Sequence, residues 1–268
     1  MDKHYQPKFQ EEYSAKIPAL TLLTSLGWTF LSPKQIMDCR GYKQDEVVLR
    51  PILREVLSER YFMVGGKTCR LSEKALDNLI SQVCSPVLNE GLLKANERMY
   101  NHLLYGIAVT EFVDGKKVNP TIALIDWEHP KNNQFHFAEE FSVLRSGGVE
   151  TRRPDIVCFV NGIPLAVIEA KSPVGHGKKG PTIDEGISQS IRNQLNDEIP
   201  QLFAYSQLLL SINGHDGRYG TCHTPMKFWA AWREEDITDA QMYAIVTNGA
   251  IVIHTQRLKS DPGGNLLS

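Results

Sequence analysis

The stretch RRPDIVCFVNGIPLAVIEAKSP, residues 152–173, decides the fold of this chain. Two short apolar runs stand on either side of Asn161-Gly162. This dipeptide favours hairpin turns, because both residues tolerate a positive φ. The stretch therefore predicts two buried strands that pair antiparallel.

Three charged residues stand at the ends of these predicted strands, where desolvating a charge is costly. They are Asp155, Glu169 and Lys171. Glu169 and Lys171 are two residues apart on one strand, so their side chains share a face of the sheet. Whether Asp155 joins them depends on the length of the turn.

The turn has two possible readings with opposite outcomes. A two-residue turn pairs Val160 with Ile163 and places Asp155 on the opposite face from Glu169. A three-residue connection with a bulge at the glycine pairs Val160 with Pro164 and sets Asp155 directly across from Glu169. If the charged residues form a site, we expect this longer connection or an equivalent bulge. Proline has no N–H to donate, which also argues against a regular ladder here.

The rest of the chain predicts a mixed α/β (α+β) fold, with a central mixed β-sheet flanked by helices. The first hundred residues show apolar positions at helical spacing and predict a helical N-terminal layer. Short β-rich runs follow from about residue 103, and PTIDEGISQSIRNQLNDEIP returns to a helix with Thr182 and Glu185 spaced as a capping box. Residues 1–232 are expected to form one domain, with a helical layer at about 1–100 and the core at about 101–232. Residues 233–268 are expected to be a linker or the start of a further, truncated region.

Composition excludes several classes of protein. The 268 residues are 42% hydrophobic and 22% charged, as in an ordinary globular chain. The net charge of −2 gives no overall basic field, so any contact with DNA must come from a local patch. Five cysteines without CxxC spacing fit free thiols in a reducing compartment, and we expect a cytoplasmic protein. The polar N-terminus lacks the apolar core of a signal peptide, and no run approaches the ~18 apolar residues needed to span a bilayer, so we expect no membrane segment.

Two carboxylates and a lysine at the end of a sheet favour phosphodiester hydrolysis. Converging carboxylates repel each other and need a cation, and a few hard oxygen ligands suit Mg²⁺. A lysine beside them can orient or deprotonate the attacking water and stabilise the charged transition state. The plainer alternative is that Asp155 caps a strand while Glu169 and Lys171 form an exposed ion pair.

The sequence resembles the nuclease domain at the N-terminus of the motor (R) subunit of type I restriction enzymes, within the PD-(D/E)xK superfamily. The resemblance covers roughly residues 10–232 and includes SLGWTFL, LLYGIAVTEFV, IALIDWEHPKNNQFHFAEEFSV and the opening stretch. It implies a restriction-endonuclease-like core, with Asp155 and Glu169 as metal ligands and Lys171 as the catalytic lysine. Mg²⁺ is the implied metal, with Mn²⁺ as a substitute.

The same resemblance implies the partners and the reaction. Double-stranded DNA would be the substrate, cut at unmodified foreign sites after translocation. Methyltransferase and specificity subunits would choose the site, and ATP would act only through a motor region that follows on the same polypeptide. Two other functions stay open: a different PD-(D/E)xK nuclease of repair or recombination, and a catalytically idle docking domain of the restriction complex.

The chain departs from the family pattern at two places. Relatives often carry Q-x-x-x-Y on the helix after the catalytic lysine, where this chain has Gln189 and Asn193. Both residues fall on a face of the helix away from its apolar stripe, so we expect them to support the site or to contact DNA. A literal match, 201–205, follows a proline and ranks second. Relatives also place an acidic residue on the first helix, where this chain has Lys16, with Glu12 one turn earlier as a weak candidate.

Two basic segments are candidates for contact with the DNA backbone. The loop SPVGHGKKGPT contains Lys178 and Lys179, and its composition is that of a mobile basic loop, although an ordinary exposed linker is as good a reading. Arg152 and Arg153 precede Asp155 and either touch phosphates or pair with Glu150.

VGGKT, residues 64–68, ends like a phosphate-binding loop. Tyr61 stands where the first glycine of that motif belongs, so we interpret the segment as a turn.

Overall fold

The computed structural model describes residues 15–172 and 183–232, together with 238, 240–241 and 243–244. Among these residues the helices are α1 (Ile17–Ser25), α2 (Pro33–Cys39), α3 (Arg50–Ser58), α4 (Glu73–Val83), α5 (Leu92–Tyr105), α6 (Ile183–Asn193) and α7 (Pro200–Phe203). The strands are β1 (Thr29–Phe30), β2 (Tyr61–Val64), β3 (Lys67–Arg70), β4 (Ile107–Ala108), β5 (Glu111–Val113), β6 (Lys116–Val118), β7 (Thr121–Ile122), β8 (Phe135–Glu139), β9 (Val143–Leu144), β10 (Thr151–Arg152), β11 (Ile156–Val160), β12 (Ile163–Ala170), β13 (Leu208–Ile212), β14 (Gly217–Gly220) and β15 (Ala230–Trp232).

A seven-stranded mixed sheet organises the fold, in the order β1-β8-β11-β12-β13-β14-β15. β1 is parallel to β8 and β12 is parallel to β13, whereas the other neighbours are antiparallel. The predicted α/β architecture with a mixed sheet is confirmed. The strands β11 and β12, which the opening stretch predicts, lie at its centre.

The two faces of the sheet are covered differently. One face of β11 and β12 packs into the main core, which includes Leu53 of α3 and Phe203 of α7. The other face contributes Ile156 and Ile168 to a smaller cluster around Leu20 of α1. Residues therefore alternate between two cores along each strand, which explains why both strands are apolar at every position except Glu169.

The segment 64–68 forms the turn between β2 and β3, with Gly65 and Gly66 both at positive φ. The interpretation of this segment as a turn is confirmed.

The sheet also has a member that the sequence did not predict. β1 lies within the first hundred residues, which the pattern assigned to helices, and it pairs with β8 through two residues only. Most of 233–268 lies outside the described residues. None of the described helices combines the length and apolarity needed to cross a bilayer.

Candidate active site

The turn between β11 and β12 is fixed by its own residues and by its neighbours. Asn161 and Gly162 have φ values of 54° and 79°, as the Asn-Gly pattern predicts. A Cβ atom on Gly162 would lie 2.6 Å from the carbonyl oxygen of Leu49, so only glycine fits. The N–H of Leu49 donates to the Gly162 carbonyl at 2.8 Å, which docks the turn onto the start of α3.

A bulge in β12, and not a longer turn, sets the register of the hairpin. Val160 pairs with Ile163, so the connection has two residues, and the expectation of a three-residue connection is wrong. The register then shifts at Leu165, which has no partner on β11. The pairs that follow continue to place Asp155 opposite Glu169. This is the equivalent bulge that the sequence predicts if the charged residues form one site, and it lies beside Pro164, which cannot donate to the ladder.

The bulge brings Asp155, Glu169 and Lys171 together at one end of the sheet. All three are buried, with 9%, 4% and 7% of their surface exposed. The Lys171 ammonium group lies 3.4 Å from Asp155 Oδ2 and 3.8 Å from Glu169 Oε2, and it donates to the Ala170 carbonyl at 2.9 Å. The Ala170 N–H donates to Asp155 Oδ2 at 2.8 Å, which fixes that carboxylate.

The charges of this group do not balance, because two carboxylates face one ammonium. Burial raises the pKa of Glu169 well above its ordinary value, and the Asp155 charge and a hydrogen bond with that carboxyl add to the effect. Lys171 and Arg192 act in the opposite direction. The raised pKa of Glu169 therefore reflects the lack of a second positive charge beside the two carboxylates.

Helix α6 closes the site from the main-core face of the sheet. A Cβ on Gly186 would lie 2.3 Å from Ser211 Oγ and 3.3 Å from Glu169 Cβ, so α6 approaches the strands at this glycine. The Ser211 hydroxyl donates to the Ile183 carbonyl at 2.7 Å and holds the first turn of the helix.

The predicted supporting residues Gln189 and Asn193 follow Gly186 by three and seven residues, so all three share a face of α6. Gln189 Oε1 is buried and has no hydrogen-bond partner among the described residues. Asn193 is buried and accepts from Arg192 Nη2 at 3.1 Å. On this face of α6, the Gln189 carbonyl oxygen is therefore an acceptor that none of the residues placed in the structure supplies with a donor.

Sequence reasoning missed Arg192, which is exposed yet close enough to lower the pKa of Glu169. It also missed Ser211 of β13, which lies opposite Glu169 of β12 in the parallel ladder. Two signals were present: a cation on the helix after the lysine, and one polar residue inside the apolar run QLLLSIN.

The two arginines before Asp155 have protein partners. Arg152 forms a two-pronged ion pair with the buried Glu198, at 2.5 and 2.7 Å. Arg153 is exposed and pairs with Glu140 at 2.8 Å. Neither pairs with Glu150, the partner that the sequence suggested.

Lys16 is buried and pairs with Glu140 and, at 3.8 Å, with Glu139. The N–H of Glu140 donates to the Asp155 carbonyl at 2.9 Å, so this ion pair adjoins the site through the backbone. Glu12 lies outside the described residues.

The second-ranked match to Q-x-x-x-Y makes its contacts elsewhere. Gln201 donates to the Leu144 carbonyl at 2.6 Å. Tyr205 is fully buried and donates to the Val83 carbonyl at 2.7 Å. Both side chains therefore brace the core.

Lys178 and Lys179 of the basic loop lie outside the described residues, as does Thr182, the predicted capping residue.

The donor set suits a hard divalent cation. Asp155 and Glu169 offer carboxylate oxygens, and the Ala170 carbonyl lies beside them, around a position that now holds the Lys171 ammonium. Within the described ranges, no three or more His, Cys, Asp or Glu side chains are grouped to hold a metal ion. Mg²⁺ takes few protein ligands and keeps several waters, so two carboxylates with an excess negative charge fit it.

Comparison with known proteins identifies the family of this chain. The family described as type I restriction enzyme R protein N terminus matches residues 8–228. The chain belongs to this family. The endonuclease subunit of the type I restriction enzyme HindI from Haemophilus influenzae is 28% identical over 232 residues, which are 85% of this chain and 21% of that protein. The putative type I restriction enzyme MjaIXP endonuclease subunit from Methanocaldococcus jannaschii is 26% identical over 238 residues, 87% of this chain and 21% of that protein.

The chain spans about a fifth of the length of these two curated relatives.

Proposed function

We propose that this chain is the metal-dependent endonuclease region of a type I restriction R subunit. It would hydrolyse phosphodiester bonds in double-stranded, unmodified foreign DNA. The observation that carries the proposal is the convergence of Asp155, Glu169 and Lys171 on one face, through a bulge that offsets the two-residue turn. A hairpin that needed only to be stable would have no reason to bury an unbalanced carboxylate pair.

Asp155 and Glu169 would hold Mg²⁺, or Mn²⁺ in its place, and the Ala170 carbonyl would complete the protein ligands. When bound, the cation would polarise the scissile phosphate and make the attacking water more acidic. A bound cation would favour the carboxylate form of Glu169 and so oppose the rise in its pKa.

Lys171 would have a different role. Its ammonium would move away from the carboxylates and donate to the attacking water or to a phosphate oxygen, stabilising the negative charge that develops there. Gln189, whose carbonyl oxygen has no donor among the described residues, would bind on the same side of the site. Arg192 is exposed and near Glu169, and it would contact the DNA backbone, as would Lys178 and Lys179 of the basic loop.

The resemblance to type I restriction R subunits suggests the wider context. An ATP-driven motor on the same polypeptide and methyltransferase and specificity subunits would deliver the DNA, so that this chain needs no sequence recognition of its own. Phosphate contacts without base contacts suit such a division of labour.

Calorimetric titration with Mg²⁺ and Mn²⁺ tests the proposal directly. We expect the parent chain to bind and the Asp155→Asn and Glu169→Gln variants to lose binding. Lys171→Met should bind at least as well as the parent, since the competing ammonium is gone, yet should lose any cleavage of supercoiled plasmid. Glu185→Gln, an exposed residue on α6, is the matched control, and circular dichroism checks folding.

The failure of the proposal has a clear form. Equal binding by the parent and both carboxylate variants, or no binding by any of them with a DNA duplex present, would refute the assembled site. The docking role would then be the better account.

A further inference from the structure

Glu140, the residue that follows β8, has an uncommon backbone conformation. Its φ is 51°, which lies in the left-handed region where glycine and asparagine are the favoured residues. A glutamate held in this conformation lowers the stability of a chain unless its contacts compensate. The contacts of Glu140 show what the conformation achieves.

The backbone at Glu140 holds the segment that leads to the candidate metal ligand Asp155. The N–H of Glu140 donates to the Asp155 carbonyl at 2.9 Å, and the next N–H, that of Phe141, donates to the Pro154 carbonyl at 3.1 Å. In a regular antiparallel ladder only every second residue of a strand donates to the same neighbour. The left-handed conformation of Glu140 therefore directs two successive N–H groups at this one segment.

The side chain of Glu140 holds the same segment a second time. Its Oε2 atom pairs with Arg153 Nε at 2.8 Å, and its Oε1 atom accepts from the ammonium group of Lys16. Lys16 directly precedes α1 and is 8% exposed, so this helix supplies a cation that is fixed in place. Residues 153–155 are thus bound to Glu140 at both ends, through the Arg153 side chain and the Asp155 carbonyl.

The Asp155 carboxylate is fixed from the other side by β12. Its Oδ2 atom accepts from the Ala170 N–H at 2.8 Å and lies 3.4 Å from the Lys171 ammonium group. Asp155 itself lies one residue before the start of β11, where the regular pairing with β8 ends. The bond from Glu140 therefore extends the support of the Asp155 backbone beyond that pairing, and the carboxylate keeps its position only as long as the backbone does.

We infer that Glu140 is a positioning residue for Asp155. Its left-handed backbone and its two ion pairs hold residues 153–155, so that the Asp155 carboxylate stays where it would bind the metal ion. The Glu140 carboxylate is engaged by Lys16 and Arg153, and Glu140 therefore acts through Asp155 and not on the metal itself. For the metal-binding role of Asp155 this inference rests on the proposed function.

Two substitutions of Glu140 and a matched pair elsewhere test the inference in the 268-residue chain. Glu140→Gly removes both ion pairs but favours the left-handed backbone, which offsets part of the lost stability. Glu140→Gln keeps the backbone cost and removes only the charge. Asp114 provides the control, because its φ is also 51° and its carboxylate pairs with Lys67 at 2.6 Å, in the turn between β5 and β6. Asp114→Gly and Asp114→Asn make the same two changes away from the site.

The first measurement needs no metal. Exchange of the Ala170 amide hydrogen, followed by NMR in the metal-free chain, reports whether the Asp155 carboxylate stays in place to accept that hydrogen. We expect exchange about ten-fold faster in both Glu140 variants than in the parent, and no change in the Asp114 variants. The amide of Cys158, inside β11, should exchange at the parent's rate throughout and so shows that the sheet stays folded.

The second measurement is calorimetric titration with Mg²⁺. We expect both Glu140 variants to bind about ten-fold more weakly than the parent, which is the size typical of losing a residue that supports a metal ligand, and the Asp114 variants to bind like the parent.

Three results would overturn the positioning role: Ala170 exchange that is unchanged in both Glu140 variants, exchange that rises equally at Ala170 and Cys158, or a parent and Glu140 variants that bind Mg²⁺ equally well. A parent chain that binds no Mg²⁺ would instead refute the proposed function, and the Ala170 exchange would then decide the positioning role alone.

Discussion

Replacing Glu169 by glutamine should make the metal-free chain more stable at neutral and alkaline pH. Glu169 is 4% exposed, and its pKa is raised because burial and the Asp155 charge disfavour the carboxylate. Glutamine has nearly the same shape and no charge. The substitution leaves Asp155 and Lys171 as one balanced pair.

The size of the effect follows from the contacts. Attraction to Lys171 at 3.8 Å is about 4 kcal/mol at an effective dielectric constant of ~20, and repulsion from the adjoining Asp155 offsets much of it. What remains is the desolvation of one carboxylate, several kcal/mol, part of which is avoided when the group binds a proton. We expect a gain in the free energy of unfolding on the order of 1–3 kcal/mol.

The pH dependence gives the sign. A carboxyl with a raised pKa in the folded state contributes fully below the pKa of the unfolded chain, and its contribution is lost as the pH rises through the folded value. The two chains should therefore be equally stable near pH 4, and the variant should lead increasingly toward pH 8. Urea unfolding followed by circular dichroism over this range measures the difference, with Glu185→Gln as the exposed control. A difference that does not vary with pH, or a parent that gains on the variant as the pH rises, would refute the reasoning.

Two further predictions concern the supports of the site. Gly186→Ala should lower the free energy of unfolding by about 1–3 kcal/mol, because its Cβ would overlap the Ser211 hydroxyl, while Gly147→Ala, where nothing lies within 4 Å, should be neutral in the same thermal melts. Removing that hydroxyl with Ser211→Ala should restore part of the loss. Arg152→Ala should lower the free energy of unfolding by about 1–3 kcal/mol, because the buried Glu198 loses both hydrogen bonds that Arg152 donates. An unchanged melting temperature would contradict this stabilising role of Arg152.

The local part of the site was predictable from the sequence. Glu169 and Lys171 share a face because the side-chain period of a strand is two, and Asn161-Gly162 specifies its turn. For Asp155 the sequence allows two registers, which place its side chain on opposite faces of the sheet. The single bulged residue, Leu165, selects the register, and its position depends on how β12 pairs with both β11 and β13.

The parts that escaped prediction depend on distant contacts. Arg152 finds its partner 46 residues further along the chain, closer in space than the neighbouring Glu150. β1 has two residues, too few for a periodic pattern to show. Tyr61 and Trp127 line one cleft of the folded chain although they are far apart in the sequence, so no local pattern predicts that cleft.

The bulge at Leu165 also bears on how such sites can be found by sequence searching. Thirteen residues, 156–168, separate the two carboxylates here, and one of them is absorbed outside the ladder. A regular hairpin with the same two-residue turn would bring the same carboxylates together with one residue fewer. The number of residues between the two carboxylates can therefore differ by one between proteins that have the same arrangement of side chains. A search pattern that fixes this number would overlook proteins that carry such a site.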